Sequence, residues 1–327
     1  MSDKKRVVVA DPVTPEFKKR WTEDLDGLDI DLILLEDPSP EGLSSAVSGA
    51  DILITRNRPI DDTVLEQAGS SLRLLIKLSR WSIGIDTDAC AKRGVQVGHV
   101  PQLGCITVAE HAMTFLLMCA RDMIRSHLGV ASGAYREHGL TPEVTSERSF
   151  AFKWLPVKPF EPYGKTLGIV GFGEIGKELA ARAKAFGMDI RYFDQRKAPE
   201  AIEKELGAQY AELDTLLAAS DFISLHIPHT PKTEKLINAE RFRLMKPTAF
   251  LLNACRGGVI DEDAMVEALR SGEIAGAGLD VFVEEPLPYD HPLATLENVV
   301  LSPHIGGGAG TGRADQRSQV HGLIKNL

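Results

Sequence analysis

The chain has 327 residues, of which 43% are hydrophobic and 25% charged, with a formal net charge of −9. That length accommodates two domains and a large core, and the composition is that of a soluble globular protein. The acidic balance and the absence of a long basic run argue against a nucleic-acid binder, while the four dispersed cysteines (Cys90, Cys105, Cys119, Cys255) suit a reducing, cytoplasmic setting and suggest neither a zinc or other metal site nor a disulfide framework.

At the N-terminus the chain reaches a strand, 6–10, before a signal-peptide core could fit. Helical character follows at 17–25, strand at 31–35, a short helix at 43–47, strand at 51–55 and helix at 63–68. Then come strand at 72–78, a helix at 89–93 stopped by Gly94, and strand at 95–97. This alternation predicts a parallel sheet covered on both faces. No glycine fingerprint follows the first strand, so this unit has no evident dinucleotide site. Residues 101–105 break the pattern. Thr107-Val108-Ala109-Glu110 reads as a capping box that opens a helix running to about Ser126, with Val108, Ala112, Phe115, Leu116 and Cys119 on one side. Its apolar part, 109–120, is broken by Glu110 and His111 and is too short to span a bilayer, so no membrane contact is expected. The stretch 129–162 is too long for an ordinary connection. Phe150, Phe152, Trp154 and Phe160 make it too apolar for a free linker. It reads as an arm clasping a second subunit in preference to a loop packed on its own domain.

Residues 164–194 read as strand, glycine turn, helix, strand and acid. Gly171-Phe172-Gly173-Glu174-Ile175-Gly176 is a G-x-G-x-x-G placed between a strand at 166–170 and a helix that stops at Gly187. Its glycines suit a tight turn, close approach of backbone to a pyrophosphate, and close packing of helix on strand. The helix N-terminus then offers free amides to the phosphates. A strand at 189–193 ends on Asp194, 23 residues after Gly171, where a carboxylate would accept the ribose hydroxyls of NAD. Beyond it lie a helix at 213–219, strand at 221–227, helix through 241–245, strand at 248–253, helix at 261–271, and strands at 275–281 and 299–301.

Ligands of open α/β sheets bind beyond the carboxyl ends of the strands. Three such ends carry uncommon residues: Asn253-Ala254-Cys255-Arg256, then Asp280 with Glu284-Glu285-Pro286, then Ser302-Pro303-His304. An Arg fork binds a carboxylate and polarises an adjacent carbonyl. A His donates a proton to a carbonyl oxygen as hydride arrives, and a carboxylate beside it favours the imidazolium. Spacing does not choose between Glu284 and Glu285. His226 and His229 end a strand of the same sheet and could lie near the cofactor. His111 has no evident partner. Cys255 reads as a small buried residue, not a nucleophile.

The motifs KRGVQVGHVP, TVAEHAM, GKTLGIVGFGEIGKELAARAKAFGM, SDFISLHIPHTPKTEKLI, NACRGGVID, GAGLDVFVEEPL and SPHIGG occur in this order. With them the chain resembles the D-isomer-specific 2-hydroxyacid dehydrogenase family from about residue 74 to 308. The resemblance implies two doubly wound parallel-sheet α/β domains with a cleft between them. One is a flavodoxin-like substrate domain of 1–103 plus 310–327, the other a Rossmann NAD-binding domain of 104–309. The apolar stretch 129–162, longer than most members have there, reads as a dimerisation arm of a homodimer. The resemblance implies NAD as cofactor and hydride transfer between NAD(H) and C2 of a small D-2-hydroxy/2-oxo acid. Arg256 would bind the substrate, and Glu285, immediately before Pro286, would support His304 as proton donor and acceptor. Asp280 would hold the nicotinamide carboxamide. His226, Pro228, Asn253, Ala254 and Cys255 would line the cofactor cleft. The Ile83 and Gly84 amides would take the substrate carboxylate. Arg80 and Trp81, in place of a more glycine-rich stretch, would select a phosphorylated or bulky side chain or else face solvent. A Glu at 285, where formate dehydrogenases of the superfamily carry Gln, argues against formate. The alternative within the superfamily is an NAD(H)-sensing corepressor or scaffold.

Overall fold

The computed structural model describes residues 4–142, 144, 157, 159–308 and 312–327. The chain divides into two compact units, Met1–Gly104 with Ala309–Leu327, and Cys105–Gly308. Phe150, Phe152 and Trp154, on which the clasping arm was read, lie outside the described residues, as does most of 143–158.

In the first unit the elements alternate as β1 (Lys5–Val9), α1 (Pro15–Asp24), β2 (Ile30–Leu34), α2 (Pro40–Val47), β3 (Ile52–Thr55), α3 (Asp62–Ala68), β4 (Leu74–Lys77), α4 (Thr87–Lys92) and β5 (Gln96–His99). All pairs are parallel, in the order β2-β1-β3-β4-β5. This is the flavodoxin-like winding. β3 and β4 are buried at every residue, because helices cover both faces of the sheet. Local chemistry sets the helix starts. Thr14 and Ser39 cap α1 and α2, each followed by a proline whose missing amide has no partner to lose there. Asp61 and Asp86 cap α3 and α4. One apolar layer sets Val8, Leu53 and Leu75 against Leu43, Val47, Leu65 and Cys90. The other sets Val7, Val9, Ile54 and Ile76 against Leu25 and against Val320 and Ile324 of the C-terminal helix, Gly312–Lys325. Lys5 Nζ donates to the Ile324 carbonyl at 3.1 Å, and His321 meets the Asp24 carbonyl at 2.7 Å.

α5 (Leu103–Ala120) leads into the second unit, and α6 (Met123–Ser132) follows it. Then come β6 (Thr166–Val170), α7 (Glu174–Ala185), β7 (Asp189–Phe193), α8 (Glu200–Leu206), β8 (Ala208–Tyr210), α9 (Leu213–Ala219), β9 (Phe222–Leu225), α10 (Ala239–Phe242), β10 (Phe250–Asn253), α11 (Glu262–Ser271), β11 (Gly276–Leu279) and β12 (Val299–Leu301). The seven strands are parallel in the order β12-β11-β10-β9-β6-β7-β8. Winding runs outward both ways from β6, so the switch point lies between β6 and β9, where a Rossmann sheet binds its ligand.

Three local expectations need correction. α5 starts at Leu103, so Thr107 lies inside the helix and its motif is not the N-cap. Nothing in Leu103-Gly104-Cys105-Ile106 prevents helical geometry. The helix ends at Ala120, short of Ser126, because Asp122 adopts a left-handed conformation (φ 48°) that turns the chain into α6. At 18 residues α5 is also longer than the apolar stretch suggested. By length and composition it would suffice to cross a bilayer, but Ala109, Ala112, Met113, Phe115, Leu116 and Cys119 are buried within this protein. α8 and β8 fall where the sequence reading places no element. Only Ile202 and Leu206 of that charged helix are buried, and a three-residue strand is too short to show alternation.

Candidate active site

The glycine turn folds as its spacing predicts. Gly171 follows β6 at φ 97°, and a Cβ there would overlap the backbone carbonyl of His226, on the other side of the switch point. A Cβ at Gly176 would overlap the Gly171 carbonyl, so α7 sits hard against the turn. Gly173 faces open space. It is the N-cap of α7 and brings no side chain to the helix amides. An open, uncapped helix N-terminus at a switch point fits the pyrophosphate of a dinucleotide. Phe172 stacks on Tyr192 at 4.0 Å, and its amide donates to Asp194 Oδ2 at 2.7 Å. Asp194 is half-buried at the end of β7, with its carboxylate held at the rim of the turn. Glu174 pairs with Lys177 at 3.0 Å.

A cleft of about 840 Å3 opens at the carboxyl ends of the central strands. That is ample for a dinucleotide's nicotinamide half and a small acid. It is lined by Ile175, His226, Pro228, Ala254, Cys255, Arg256, Asp280 and His304 among the expected residues, together with Val108, Ile227, His229, Gly307 and Gly308. His226 contacts Ser224 Oγ through Nε2 at 2.9 Å, and its buried Nδ1 has no partner among the described residues. Burial pushes its pKa down to about 4, so the ring is neutral at physiological pH. Burial also raises the Cys255 thiol, which excludes a ready nucleophile there.

Asn253 is not among the residues lining this cleft. Its Nδ2 donates to the Arg256 carbonyl at 3.0 Å and its Oδ1 accepts from the Cys255 amide at 3.0 Å, so it shapes the loop that carries Arg256. Arg256 itself is exposed and extended (φ −152°). One guanidinium nitrogen donates to the Cys255 carbonyl at 2.5 Å, and the remaining donors have no partner among the described residues.

His304 sits on the loop after β12 at φ 56°. A non-glycine residue there costs about 1–2 kcal/mol, so its surroundings must hold it. Its Nδ1 lies 2.6 Å from Glu285 Oε2, while Glu285 Oε1 accepts from the Phe282 amide at 3.1 Å. The geometry thus pairs His304 with Glu285 and not with Glu284, as the resemblance implies. The carboxylate is an acceptor, so it keeps a proton on Nδ1. The His304 hydrogen bond, and after it the Phe282 amide, hold the Glu285 carboxyl below its ordinary 4.5 despite some burial. A depressed folded value means that the pair's contribution to stability is complete above about pH 4.5 and is lost as pH falls through the lower folded value. In a carboxyl NMR titration Glu285 should show a midpoint below 4.5, and His304→Ala should move it up. An unmoved midpoint would remove His304 as the cause.

In the first unit, Ile83 and Gly84 follow β4, with Gly84 at φ 79° and its carbonyl accepting from the Ile60 amide at 2.7 Å. Neither the Ile83 nor the Gly84 amide donates a hydrogen bond among the described residues. Trp81 is 4% exposed and is a core residue; Arg80 is exposed.

Two residues that sequence reasoning left without a role belong to the site. His111 and Ser302 form a cluster with Asp280, with His111 Nε2 2.9 Å from Ser302 Oγ. The available signal was a polar residue on the inward face of α5.

Fold and turn define a dinucleotide-binding α/β protein with a carboxylate-paired histidine and an arginine at strand ends. The profile described as "D-isomer specific 2-hydroxyacid dehydrogenase, NAD binding domain" matches residues 113–306. A glyoxylate reductase of Pyrococcus furiosus is 42% identical over 81% of this chain and 76% of its own. A hydroxypyruvate reductase of Thermotoga maritima is 36% identical over 87% and 86%. The crystal structure of a glyoxylate reductase from Paecilomyes thermophila superposes with a TM-score of 0.56 at 27% identity, over 99% of this chain and 95% of that one. The chain belongs to the D-isomer-specific 2-hydroxyacid dehydrogenase family. It is a nicotinamide-dependent oxidoreductase acting on the CH–OH group of donors.

Proposed function

We propose that the protein reduces small 2-oxo acids with NADH to D-2-hydroxy acids, with glyoxylate and hydroxypyruvate as preferred substrates. The contact of His304 Nδ1 with Glu285 at 2.6 Å carries this reading, since it prepares an imidazole Nε2 as proton donor. The relatives' names supply the substrate class. When bound, the cofactor supplies or takes the hydride at C2. Arg256 binds the substrate carboxylate and polarises the C2 carbonyl. His304 Nε2 protonates the carbonyl oxygen, or removes the proton in reverse, and Glu285 steadies the imidazolium. The Ile83 and Gly84 amides, which donate no hydrogen bond among the described residues, are the groups to which we assign carboxylate binding from the first unit.

On the cofactor side, the Gly171–Gly176 turn and the α7 N-terminus take the pyrophosphate. Asp194 takes the ribose hydroxyls and repels a 2′-phosphate. Asp280 keeps capacity on Oδ2, which accepts only from Gly306 among the described residues, for the carboxamide. His226, Pro228, Ala254 and Cys255 wall the cleft. The exposed apolar side chains of α6, Met123, Ile124, Leu128 and Val130, support a homodimer through this helix. Four cysteines without a disulfide among them support a cytoplasmic setting.

The test is NADH oxidation by the purified protein with glyoxylate, hydroxypyruvate, pyruvate and phenylpyruvate. Turnover is expected first with glyoxylate or hydroxypyruvate, with NADH favoured over NADPH by about tenfold or more in kcat/KM. No turnover with any of them would sink the reading, and equal use of NADPH would remove the role given to Asp194.

A further inference from the structure

Asp280 is 1% exposed, and a carboxylate so deeply buried needs hydrogen-bond donors around it. Its donors come from one loop. Oδ1 accepts from the Ser302 hydroxyl at 2.5 Å and the Ile305 amide at 2.9 Å, and Oδ2 accepts from the Gly306 amide at 2.8 Å. His304 lies between these residues, so the chain on both sides of its imidazole is tied to a single carboxylate.

His111 completes the arrangement from α5. Its Nε2 lies 2.9 Å from Ser302 Oγ and 3.3 Å from Asp280 Oδ1. A serine hydroxyl has one proton. Ser302 donates it to Asp280 and must accept from His111, which therefore carries its proton on Nε2. The chain of donation runs from His111 through Ser302 to Asp280. The imidazole is held in place by Phe115, one turn further along α5, which meets it edge-on at 4.5 Å. Phe115 in turn rests on Gly278 of β11, where a Cβ would come within 2.7 Å of it. Gly306 also packs against the His111 ring, where a Cβ would lie 3.4 Å from Cδ2.

We propose that His111 is a positioning residue for proton transfer by His304. Donating through Ser302 to Asp280, it fixes the 302–306 loop in the conformation that presents the catalytic imidazole. The proposal rests on the assignment of His304 as the acid–base group. A packing role would be met by any side chain of similar bulk; a relay needs the N–H.

The discriminating pair is His111→Leu, which keeps bulk and removes the donor, and His111→Gln, which returns an N–H near the position of Nε2. Steady-state kinetics with NADH and the preferred 2-oxo acid should show kcat down by about 10–100-fold in His111→Leu, with KM moved far less. His111→Gln should recover most of that loss. Ser302→Ala should lower kcat in the same way, and the His111→Leu/Ser302→Ala double variant should be little worse than either single one, because both break one chain. A wild-type kcat in His111→Leu, or a loss that Gln does not recover, would overturn the proposal. If His111→Leu does not fold, an impaired Ser302→Ala beside an active His111→Gln supports it, and the reverse pattern overturns it. His304→Ala is measured alongside. If it turns over normally, the acid–base assignment fails and takes this proposal with it. If it is inactive while His111→Leu is unimpaired, only the positioning role fails.

Discussion

Replacing His304 by alanine is expected to lower kcat by about 10²–10⁴-fold while NADH binds with close to wild-type affinity. The expectation follows from where the residue sits. The turn proposed to take the pyrophosphate follows β6, whereas His304 follows β12 at the far end of the sheet order. Removing the imidazole takes away the proposed proton donor and leaves the Gly171–Gly176 turn intact. The backbone at 304 stays at φ 56°, held by the bonds of Ser302, Ile305 and Gly306 to Asp280. Alanine has no better access to that region than histidine, so little stability should return. Steady-state turnover and fluorescence titration with NADH separate the two outcomes. Equal losses in NADH affinity and kcat would mean that His304 binds cofactor instead of moving a proton.

Replacing Gly257 by alanine is expected to destabilise the second unit by about 3 kcal/mol or more, at the upper end of what overpacking costs. For a body of this size that is a fall in Tm of roughly 6–12 °C, at about 2–4 °C per kcal/mol. The added Cβ would overlap the Phe282 carbonyl and the Val283 amide. These are backbone atoms that cannot swing aside as a flexible side chain would. The strain falls between two functional loops, since Gly257 directly follows Arg256 and Phe282 donates its amide to Glu285. Turnover should therefore fall along with stability. Thermal unfolding followed by circular dichroism checks the first part, and a Tm within about 2 °C of wild type would show that the loops can yield.

The legible parts of this protein are those whose signal lies within one short stretch of chain. The turn at Gly171–Gly176 and Asp194 could be placed because strand, glycines, helix and acid are consecutive and each spacing has a physical reason. Arg256, Glu285 and His304 were visible only as unusual residues at strand ends, since contacts across the sheet leave no periodic trace. Glu284 and Glu285 are adjacent, so spacing alone left them open; the resemblance favoured Glu285, and the path of the 282–286 loop sets it against the imidazole. Asn253 looked like a cofactor residue because it ends a strand at the cleft, yet its amide bonds to its own loop. His111 and Ser302 are 191 positions apart, and no local pattern announces such a pair. Nor does a loop glycine such as Gly257 disclose that another backbone runs against it.

The C-terminal helix has a consequence for the order in which this protein can be completed. β1 lies at the start of the chain, but part of the apolar layer over Val7 and Val9 comes from Val320 and Ile324. A ribosome delivers the N-terminal sheet first and the residues that finish covering it last, after the whole second unit. During synthesis that face of the sheet waits, part-covered, for more than two hundred residues of chain. Domains usually close in the order in which they emerge; here the first to appear is the last to be sealed.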